Sequence, residues 1–296
     1  MPAKRGPRTG FLRAAAALVT LAALASCTPD GDGKDPADTT AGQGSPDSTA
    51  GADSTKSSSG AVRLPPVPDG FDYQIGGAYT PPSGVRIVAR DRGADPARGL
   101  YNICYVNAFQ AQPDERDDWP DDLLLRDKKG KVVIDADWDE ALLDIGTPAK
   151  RKRVAARVDK WIDGCADKGF DAVEPDNYDS YTRSHGLLNA DDAVSFIKLL
   201  SQRAHTRGLA IAQKNTVELA DRRSRAGLDF AVVEECGAYD ECGEYADAFD
   251  DKVVVVEYTD KGFKKALSGF GDRLSIVRRD LQVSTPDSDD YVRETG

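Results

Sequence analysis

The chain lacks an excess of positive charge: it has 39 lysine and arginine residues against 50 aspartate and glutamate residues and a net charge of −11 at pH 7. Proteins that bind nucleic acid neutralise phosphates with basic side chains, so this balance argues against a nucleic-acid partner. It is compatible with a cationic substrate. It is equally compatible with an exported protein whose acidic surface only keeps it soluble.

The amino terminus contains a hydrophobic run that is too short to span a bilayer as a stable helix. This run, Ala14 to Ala25, follows a cationic start and ends in Leu24-Ala25-Ser26-Cys27, which resembles a bacterial lipobox. We therefore predict a lipoprotein signal peptide over residues 1–26 and lipid attachment at Cys27. The protein would be exported and held on the outer face of the cell membrane by its lipid anchor. An ordinary secretory signal that contains a cysteine is the alternative.

Large apolar residues are almost missing from the segment that follows. Between residues 28 and 66, Val62 and Leu64 are the only large aliphatic side chains, while Gly, Ser, Thr, Asp, Pro and Ala dominate. Such a composition buries too little apolar surface to offset the entropy of ordering. The pattern predicts a lipid-anchored flexible linker over residues 27–68 and one folded domain over residues 69–296.

Cysteine spacing of the CxxC type is absent, and the chain has only two histidines. Zinc is therefore not expected. Four cysteines remain after Cys27, and an exported compartment permits them to form disulfides in any of three pairings. Cys236 and Cys242 are close in sequence, whereas Cys104 falls on a predicted strand and Cys165 on a predicted helix. We expect the pairs Cys236–Cys242 and Cys104–Cys165.

Short apolar runs rich in β-branched residues recur along the domain. Several are apolar throughout, as expected for parallel strands that are covered on both faces. Helical periodicity over 148–168 and 190–207 separates some of them, and no glycine-rich phosphate loop is present. Residues 107–147 read as a long insertion with a possible strand at 132–134. The pattern favours a single-domain (β/α)₈ barrel, with strands at 71–75, 85–89, 100–106, 170–173, 209–212, 228–233, 253–256 and 274–277.

Polar side chains follow most of the predicted strands, where barrel enzymes carry their active sites. They include Arg90 and Asp91, Tyr105 and Asn107, Glu174 to Asn177, Lys214 and Asn215, Glu234 and Glu235, and Glu257 and Tyr258. Taken alone, the Glu174-Pro175-Asp176-Asn177 segment is also good turn chemistry. Carboxylates after three neighbouring strands, without a Ser–His or Cys–His constellation, favour glycosidic cleavage by an acid pair.

Several stretches, taken together, resemble glycoside hydrolase family 114, the endo-α-1,4-polygalactosaminidases. They are FDYQ at 71–74, YNICY at 101–105, WDEALLDI at 138–145, GFDAVEPDN at 169–177, HTRGL at 205–209, QKN at 213–215, FAVVEEC at 230–236 and VEY at 256–258. The resemblance covers nearly all of residues 70–280. It implies a (β/α)₈ barrel that cleaves inside α-1,4-linked galactosamine polymers.

The resemblance also implies a catalytic pair, Asp176 and Glu234. Many members have Asn-Glu-Gln-Cys at the second site, where this chain has Val233 to Cys236, so Glu235 competes with Glu234. Strand alternation allows only one of the two to enter the mouth. We expect the substrate to be bound by Glu174, Asn177, Arg90, Asp91, Tyr105, Asn107, Lys214, Asn215, Glu257 and Tyr258. No metal or organic cofactor is expected, and we expect a monomer.

Two other functions remain compatible with the sequence. One is a carbohydrate-binding or scaffolding lipoprotein that keeps the barrel and its cleft without turnover. The other is a barrel hydrolase of a different glycan. Both acids of the implied pair are present, which favours an enzyme over a binding protein.

Overall fold

A computed structural model describes residues 62–296 of the protein. The predicted signal peptide, Cys27 and all but the last seven residues of the predicted linker lie outside this range. Contacts with the folded domain begin before residue 69. Val67 packs against the barrel interior, and the main-chain oxygen of Arg63 accepts a hydrogen bond from the Tyr101 hydroxyl at 2.8 Å.

Eight parallel strands form a nearly closed barrel, which confirms the predicted (β/α)₈ fold. The strands of the described residues are β1 (Gly70–Gln74), β2 (Val85–Asp91), β3 (Tyr101–Asn107), β4 (Gln110–Ala111), β5 (Ile134–Asp135), β6 (Glu140–Leu142), β7 (Ala172–Asp176), β8 (Ala210–Lys214), β9 (Phe230–Glu234), β10 (Val253–Glu257), β11 (Ser275–Arg279) and β12 (Arg293–Thr295). The barrel strands follow one another in the order β1-β2-β3-β7-β8-β9-β10-β11, and β12 pairs antiparallel with β11. β1 and β11 are in contact without sharing a ladder of hydrogen bonds.

Helices cover the outer face of the barrel after β3. They are α1 (Pro148–Lys168), α2 (Ala190–Thr206), α3 (Arg223–Ala226), α4 (Cys236–Tyr239), α5 (Cys242–Ala248) and α6 (Asp260–Phe270), with 3₁₀ turns at Arg116–Asp118, Asp121–Leu123, Tyr178–Arg183 and Val217–Arg222. No helix occurs between β1 and β3, a stretch that is described in full.

The two long helices begin and end at residues that the sequence marks. The Thr147 hydroxyl accepts a hydrogen bond from the Lys150 amide, Pro148 follows it, and Gly169 ends α1 in the left-handed conformation. Asn189 and Asp192 form a reciprocal capping box at the start of α2. The predicted helices at 148–168 and 190–207 are thereby confirmed to within one residue.

The insertion between β3 and α1 forms a small antiparallel sheet in the order β4-β6-β5. The predicted strand at 132–134 corresponds to β5, which is shifted to Ile134–Asp135. The insertion packs on the same outer core as α1 and α2 through side chains such as Phe109, Leu142 and Ile145. It adds a wall to one side of the barrel.

Both expected disulfides are present. Cys104 of β3 is bonded to Cys165 of α1, and Cys236 of α4 is bonded to Cys242 of α5. Disulfides persist in oxidising compartments, so the pairing agrees with an extracellular location. Within residues 62–296, none of the helices combines the length and the apolar composition needed to cross a membrane.

Candidate active site

Strand alternation brings a set of polar side chains into the mouth of the barrel. On β7, β8 and β9 the residues inside the barrel are Ala172, Ala210 and Ala212, and Phe230 and Val232. Because side chains alternate between the two faces of a strand, the same inward face carries Glu174 and Asp176, Lys214, and Glu234. All four residues lie at the carboxyl ends of neighbouring parallel strands.

Alternation also separates Glu234 from Glu235. Glu234 is the last residue of β9 and has inward parity, whereas Glu235 adopts a left-handed backbone (φ 59°) and precedes α4. Asn177 after β7 (φ 66°) and Asn215 after β8 (φ 46°) also have positive φ. Non-glycine residues rarely adopt this conformation, and such strain concentrates at functional sites. The chain therefore turns sharply after each of the three strands that carry the polar cluster.

Lys214 lies at the centre of three carboxylates. Its Nζ is 2.8 Å from Glu174 Oε1, 3.6 Å from Asp176 Oδ1 and 3.7 Å from Glu234 Oε1. The Lys214 and Glu174 side chains are buried, whereas those of Asp176 and Glu234 are 21% and 24% exposed. Glu174 and Lys214 thus form the base of the site, and the other two carboxylates face the opening.

Three tyrosines donate hydrogen bonds to these carboxylates. The Tyr73 hydroxyl donates to Glu174 Oε1 at 2.8 Å, and the Tyr105 hydroxyl donates to Asp176 Oδ2 at 2.8 Å. The Tyr258 hydroxyl donates to Glu234 Oε1. The pKa of each phenol is raised well above its usual range. Burial is the largest cause, and repulsion from the carboxylates is the next. All three tyrosines therefore remain neutral donors.

The buried pair Glu174 and Lys214 has an unusual protonation balance. Burial raises the pKa of Glu174 to about 7, although Lys214 and the Tyr73 hydroxyl oppose this rise. Burial disfavours the charge on Lys214, but Asp176, Glu174 and Glu234 outweigh it and raise the lysine pKa well above its usual value. Lys214 is therefore a permanent cation, while Glu174 can hold or release a proton near neutral pH.

The asparagines of the site fix the two outer carboxylates. Asn215 Nδ2 donates to Glu234 Oε2 at 3.0 Å, and Asn215 Oδ1 accepts from the Glu234 amide at 2.8 Å. The Asn177 amide donates to Asp176 Oδ1 at 2.7 Å. Asn177 Nδ2 in turn donates to Asn107 Oδ1 at 3.1 Å. These bonds leave Asp176 and Glu234 little rotational freedom, as a catalytic pair requires.

Sequence reasoning missed two residues of this region, Tyr73 and Glu140. Tyr73 lies in the FDYQ stretch, two residues after Phe71 on the inward face of β1, and its hydroxyl also accepts from Lys214 Nζ at 2.9 Å. Glu140 lies in the WDEALLDI stretch, and its Oε2 accepts from Asn107 Nδ2 at 2.8 Å. Both stretches could be recognised in the sequence. A sequence alone does not show that the insertion places Glu140 beside the barrel mouth.

Three predicted substrate-binding residues have contacts outside the cluster. Arg90 lies on the outward face of β2 and donates to Gln74 Oε1 and to the main-chain oxygens of Tyr79 and Asp95. Asp91 has inward parity, but its Oδ1 accepts from the Gly93 amide within a turn. Glu257 shares the outward parity of Val253 and Val255, and its Oε1 accepts from the Gly237 amide at 2.6 Å.

Glu257 also lies beside a disulfide rather than in a metal site. Among residues 62–296, one carboxylate oxygen of Glu257 and the sulfurs of Cys236 and Cys242 lie within 4.8 Å of one another. Both sulfurs are committed to the disulfide. Zinc binds the thiolate form of cysteine, so these sulfurs do not fit a zinc site.

An eight-stranded parallel barrel with carboxylates converging at the carboxyl ends of its strands is an arrangement suited to glycosidic hydrolysis. The sequence profile of glycoside hydrolase family GH114 matches residues 51–295, and the chain belongs to this family and is a glycoside hydrolase. No curated protein matches the sequence significantly.

The solved structures that share the fold include two glycan-related proteins. One is Ega3 of Aspergillus fumigatus, crystallised in complex with galactosamine. It has 23% sequence identity and a TM-score of 0.63, and the match covers 80% of this chain and 100% of that chain. The other is the glycoside hydrolase domain of PelA from Pseudomonas aeruginosa, with 15% identity, a TM-score of 0.53 and coverage of 76% and 97%.

Proposed function

We propose that the protein hydrolyses internal α-1,4 linkages of galactosamine polymers and that Asp176 and Glu234 are its catalytic pair. The observation that carries this proposal is their common position around Lys214, at 3.6 and 3.7 Å from its Nζ. They are the two carboxylates of the cluster with exposed surface, so a substrate in the mouth reaches them first.

The two oxygen atoms that face Lys214 Nζ are at most about 7 Å apart, because they lie 3.6 and 3.7 Å from the same nitrogen. This bound admits both the separation of about 5–5.5 Å between the carboxyl groups of retaining glycosidases and the shortest separations, from about 6.5 Å, in inverting ones. One carboxyl group would protonate the glycosidic oxygen. The other would attack the anomeric carbon or activate a water molecule.

We assign Asp176 as nucleophile or general base and Glu234 as general acid, with the reverse as the alternative. Each accepts hydrogen bonds from a tyrosine and an asparagine and lies near Lys214, so their surroundings are similar. Activated aryl galactosaminides, such as the dinitrophenyl derivatives, carry a leaving group that needs no proton, and they distinguish the two roles. Glu234→Gln should retain cleavage of such a substrate and Asp176→Asn should not. The opposite result would reverse the assignment.

The choice of substrate rests on charge and on relatives. The cluster around Lys214 contains three carboxylates against one lysine, which favours a cationic sugar over a neutral one. Ega3, which has the same fold, was crystallised in complex with galactosamine. A polymer of galactosamine carries an ammonium group on each deacetylated unit and would be drawn to this mouth.

The cellular location forms part of the proposal. The lipobox-like segment ending at Cys27 supports export and attachment to the outer face of the membrane by a lipid anchor, and we expect the enzyme to act there as a monomer. The wild-type protein should incorporate labelled palmitate, and the Cys27→Ala variant should not. Labelling that persists in this variant would contradict the anchor.

New reducing ends measured on three substrates test the function. Deacetylated galactosamine polymer should be cleaved into oligomers, and N-acetylated polymer shows how much acetylation is tolerated. Binding to these polymers without new ends would favour a carbohydrate-binding lipoprotein. Cleavage of an unrelated glycan alone would favour a hydrolase of different specificity.

A further inference from the structure

Glu140 forms part of the wall of the mouth beside Asp176. It begins β6 in the small sheet of the insertion and is only 9% exposed. Its Oε2 accepts from Asn107 Nδ2 at 2.8 Å and from Asn177 Nδ2 at 3.4 Å. Asn107 is the register partner of Asp176 between β3 and β7, and Asn177 follows Asp176 directly. Glu140 is thereby held next to one member of the proposed catalytic pair.

This carboxylate lacks a cationic partner among the described residues. Both of its hydrogen bonds end on Oε2, and Oε1 accepts none within residues 62–296. Arg183 lies nearby but is paired with Asp135 and Asp179, and its Nη2 donates to Asn177 Oδ1. Burial raises the pKa of Glu140 to about 7, with Asp176 and Asp135 adding to the rise. A bound cation would offset this unfavourable charge.

An exposed tryptophan lies two residues away. Trp138 is 61% exposed, whereas Trp119 is 4% exposed and packs edge-on against Trp161 at 5.8 Å. Two residues of chain keep the Cα atoms of Trp138 and Glu140 within about 7 Å. The indole offers a flat apolar surface that is open to solvent and suits the apolar face of a pyranose ring.

We infer that Glu140 and Trp138 form a subsite that recognises a charged amino-sugar unit next to the cleaved bond. Oε1 of Glu140 would accept from the ammonium group of that unit, and the Trp138 indole would stack on its ring. An acetamido group carries no positive charge, so this subsite would favour deacetylated units. The inference rests on the proposed function and names the part of the mouth that selects the amine.

Steady-state kinetics on galactosamine oligomers and their N-acetylated counterparts test the subsite. Glu140→Gln keeps an acceptor for Asn107 and Asn177 and should raise KM for the deacetylated oligomer by about tenfold, with kcat changed less than about twofold. The preference for the deacetylated over the acetylated oligomer should fall by the same factor. Trp138→Ala should raise KM about fivefold without changing the melting temperature, because its side chain is exposed.

Asp139→Asn is the matched control. Asp139 is exposed, adjoins Glu140 and has a left-handed backbone that asparagine tolerates, so the variant removes the same charge without touching the subsite. Equal kinetic effects of Asp139→Asn and Glu140→Gln would overturn the subsite, and so would a loss of kcat at unchanged KM in Glu140→Gln. Normal cleavage by the wild type in those cases leaves the proposed function intact. A wild type that cleaves no galactosamine oligomer overturns both.

Discussion

At the scale of single residues, the positive charge of Lys214 stabilises three carboxylates that lie close together in the barrel mouth. This lysine is 2% exposed and is the cation nearest to three carboxylates. Breaking a buried ion pair is far more costly than replacing both partners, because the remaining charge stays buried and unpaired. Glu174 is the partner most affected, since it is fully buried and its Oε2 has no hydrogen bond.

Lys214→Met should therefore reduce the free energy of unfolding by about 3–5 kcal/mol at pH 8, where Glu174 is ionised in the wild type. Adding Glu174→Gln should recover a large part of this loss, because the double variant no longer buries an unpaired charge. Chemical denaturation of the four members of this double-mutant cycle measures the coupling. Additive effects of the two substitutions would contradict the account.

Glu257 is a second buried acid, and it lies away from the barrel mouth. It is fully buried, its Oε1 accepts from the Gly237 amide, and its Oε2 has no hydrogen-bond partner within residues 62–296. Burial raises its pKa from 4.5 to about 7. The folded state therefore holds this proton more tightly than the unfolded chain does, and the resulting stabilisation is complete below pH 4.5 and is lost as pH rises through about 7.

The stability of the wild type relative to Glu257→Gln should accordingly fall by up to roughly 3 kcal/mol between pH 4.5 and pH 8. Glu257→Gln keeps the acceptor for the Gly237 amide and removes the titration. Glu244→Gln, at an exposed position of α5, removes the same side-chain charge and is the matched control. Denaturant titrations at several pH values measure both variants. A pH dependence of the Glu257→Gln difference that is no larger than that of Glu244→Gln would refute the assignment.

Sequence reasoning placed Asp176 and Glu234 at the barrel mouth, where the structure has them, but it also placed Glu257 and Arg90 there. All four follow an apolar run, and a run that is apolar throughout hides which of its residues face inward. β10 is four valines followed by Glu257, so no polar residue within the strand marks its parity. Only the packed barrel shows that Val254 and Val256 lie inside and that Glu257 lies outside.

At the scale of elements, the short helix after β9 is held against α6 by glycines. A Cβ atom at Gly237 of α4 would lie 2.5 Å from the Gly262 oxygen and 2.8 Å from the Ala266 Cβ. This contact brings α4 close to α6 directly after the turn that carries Glu234 and Glu235. Gly164, in the middle of α1, has nothing within 4 Å of the same position.

Alanine at Gly237 and alanine at Gly164 are therefore expected to change the stability of the protein in opposite directions. Gly237→Ala should destabilise the protein by about 1–3 kcal/mol, because backbone of α6 must move. Gly164→Ala should stabilise it by about 0.5–1 kcal/mol, because alanine is the better helix former. Melting temperatures of the two variants check both signs. A stabilised Gly237→Ala would show that α4 and α6 are less tightly packed than described.

The long helices were predictable, whereas the insertion was predicted only as an insertion with one of its three strands. The sequences of α1 and α2 contain capping residues and periodic apolar positions, and the structure has the caps and buried faces that these local patterns predict. The strands of the insertion are only two or three residues long, so they offer no alternation to read. Their pairing is decided by packing on the outer core, which is a tertiary effect.

At the scale of the whole molecule, two disulfides of very different span reinforce the barrel. Cys104–Cys165 joins β3 to α1 across 61 residues and closes over the whole insertion, whereas Cys236–Cys242 spans 6 residues within one turn region. Cross-links that close longer loops remove more freedom from the unfolded chain.

Replacing Cys104 and Cys165 together by alanine should lower the free energy of unfolding by about 2–5 kcal/mol, and more than the same change at Cys236 and Cys242. Denaturation of both double variants under non-reducing conditions measures the difference. A larger loss from the short disulfide would mean that it acts through the folded state, by holding α4 and α5 next to the site.

The most direct test of the account is cleavage of deacetylated galactosamine polymer by variants of the proposed pair. Asp176→Asn and Glu234→Gln should each reduce the release of new reducing ends by at least about a thousandfold. Each variant should keep the wild-type melting temperature to within a few degrees, because the side chains are partly exposed and retain their hydrogen-bonding shape. Near-full activity of folded Asp176→Asn on this polymer would contradict the catalytic assignment.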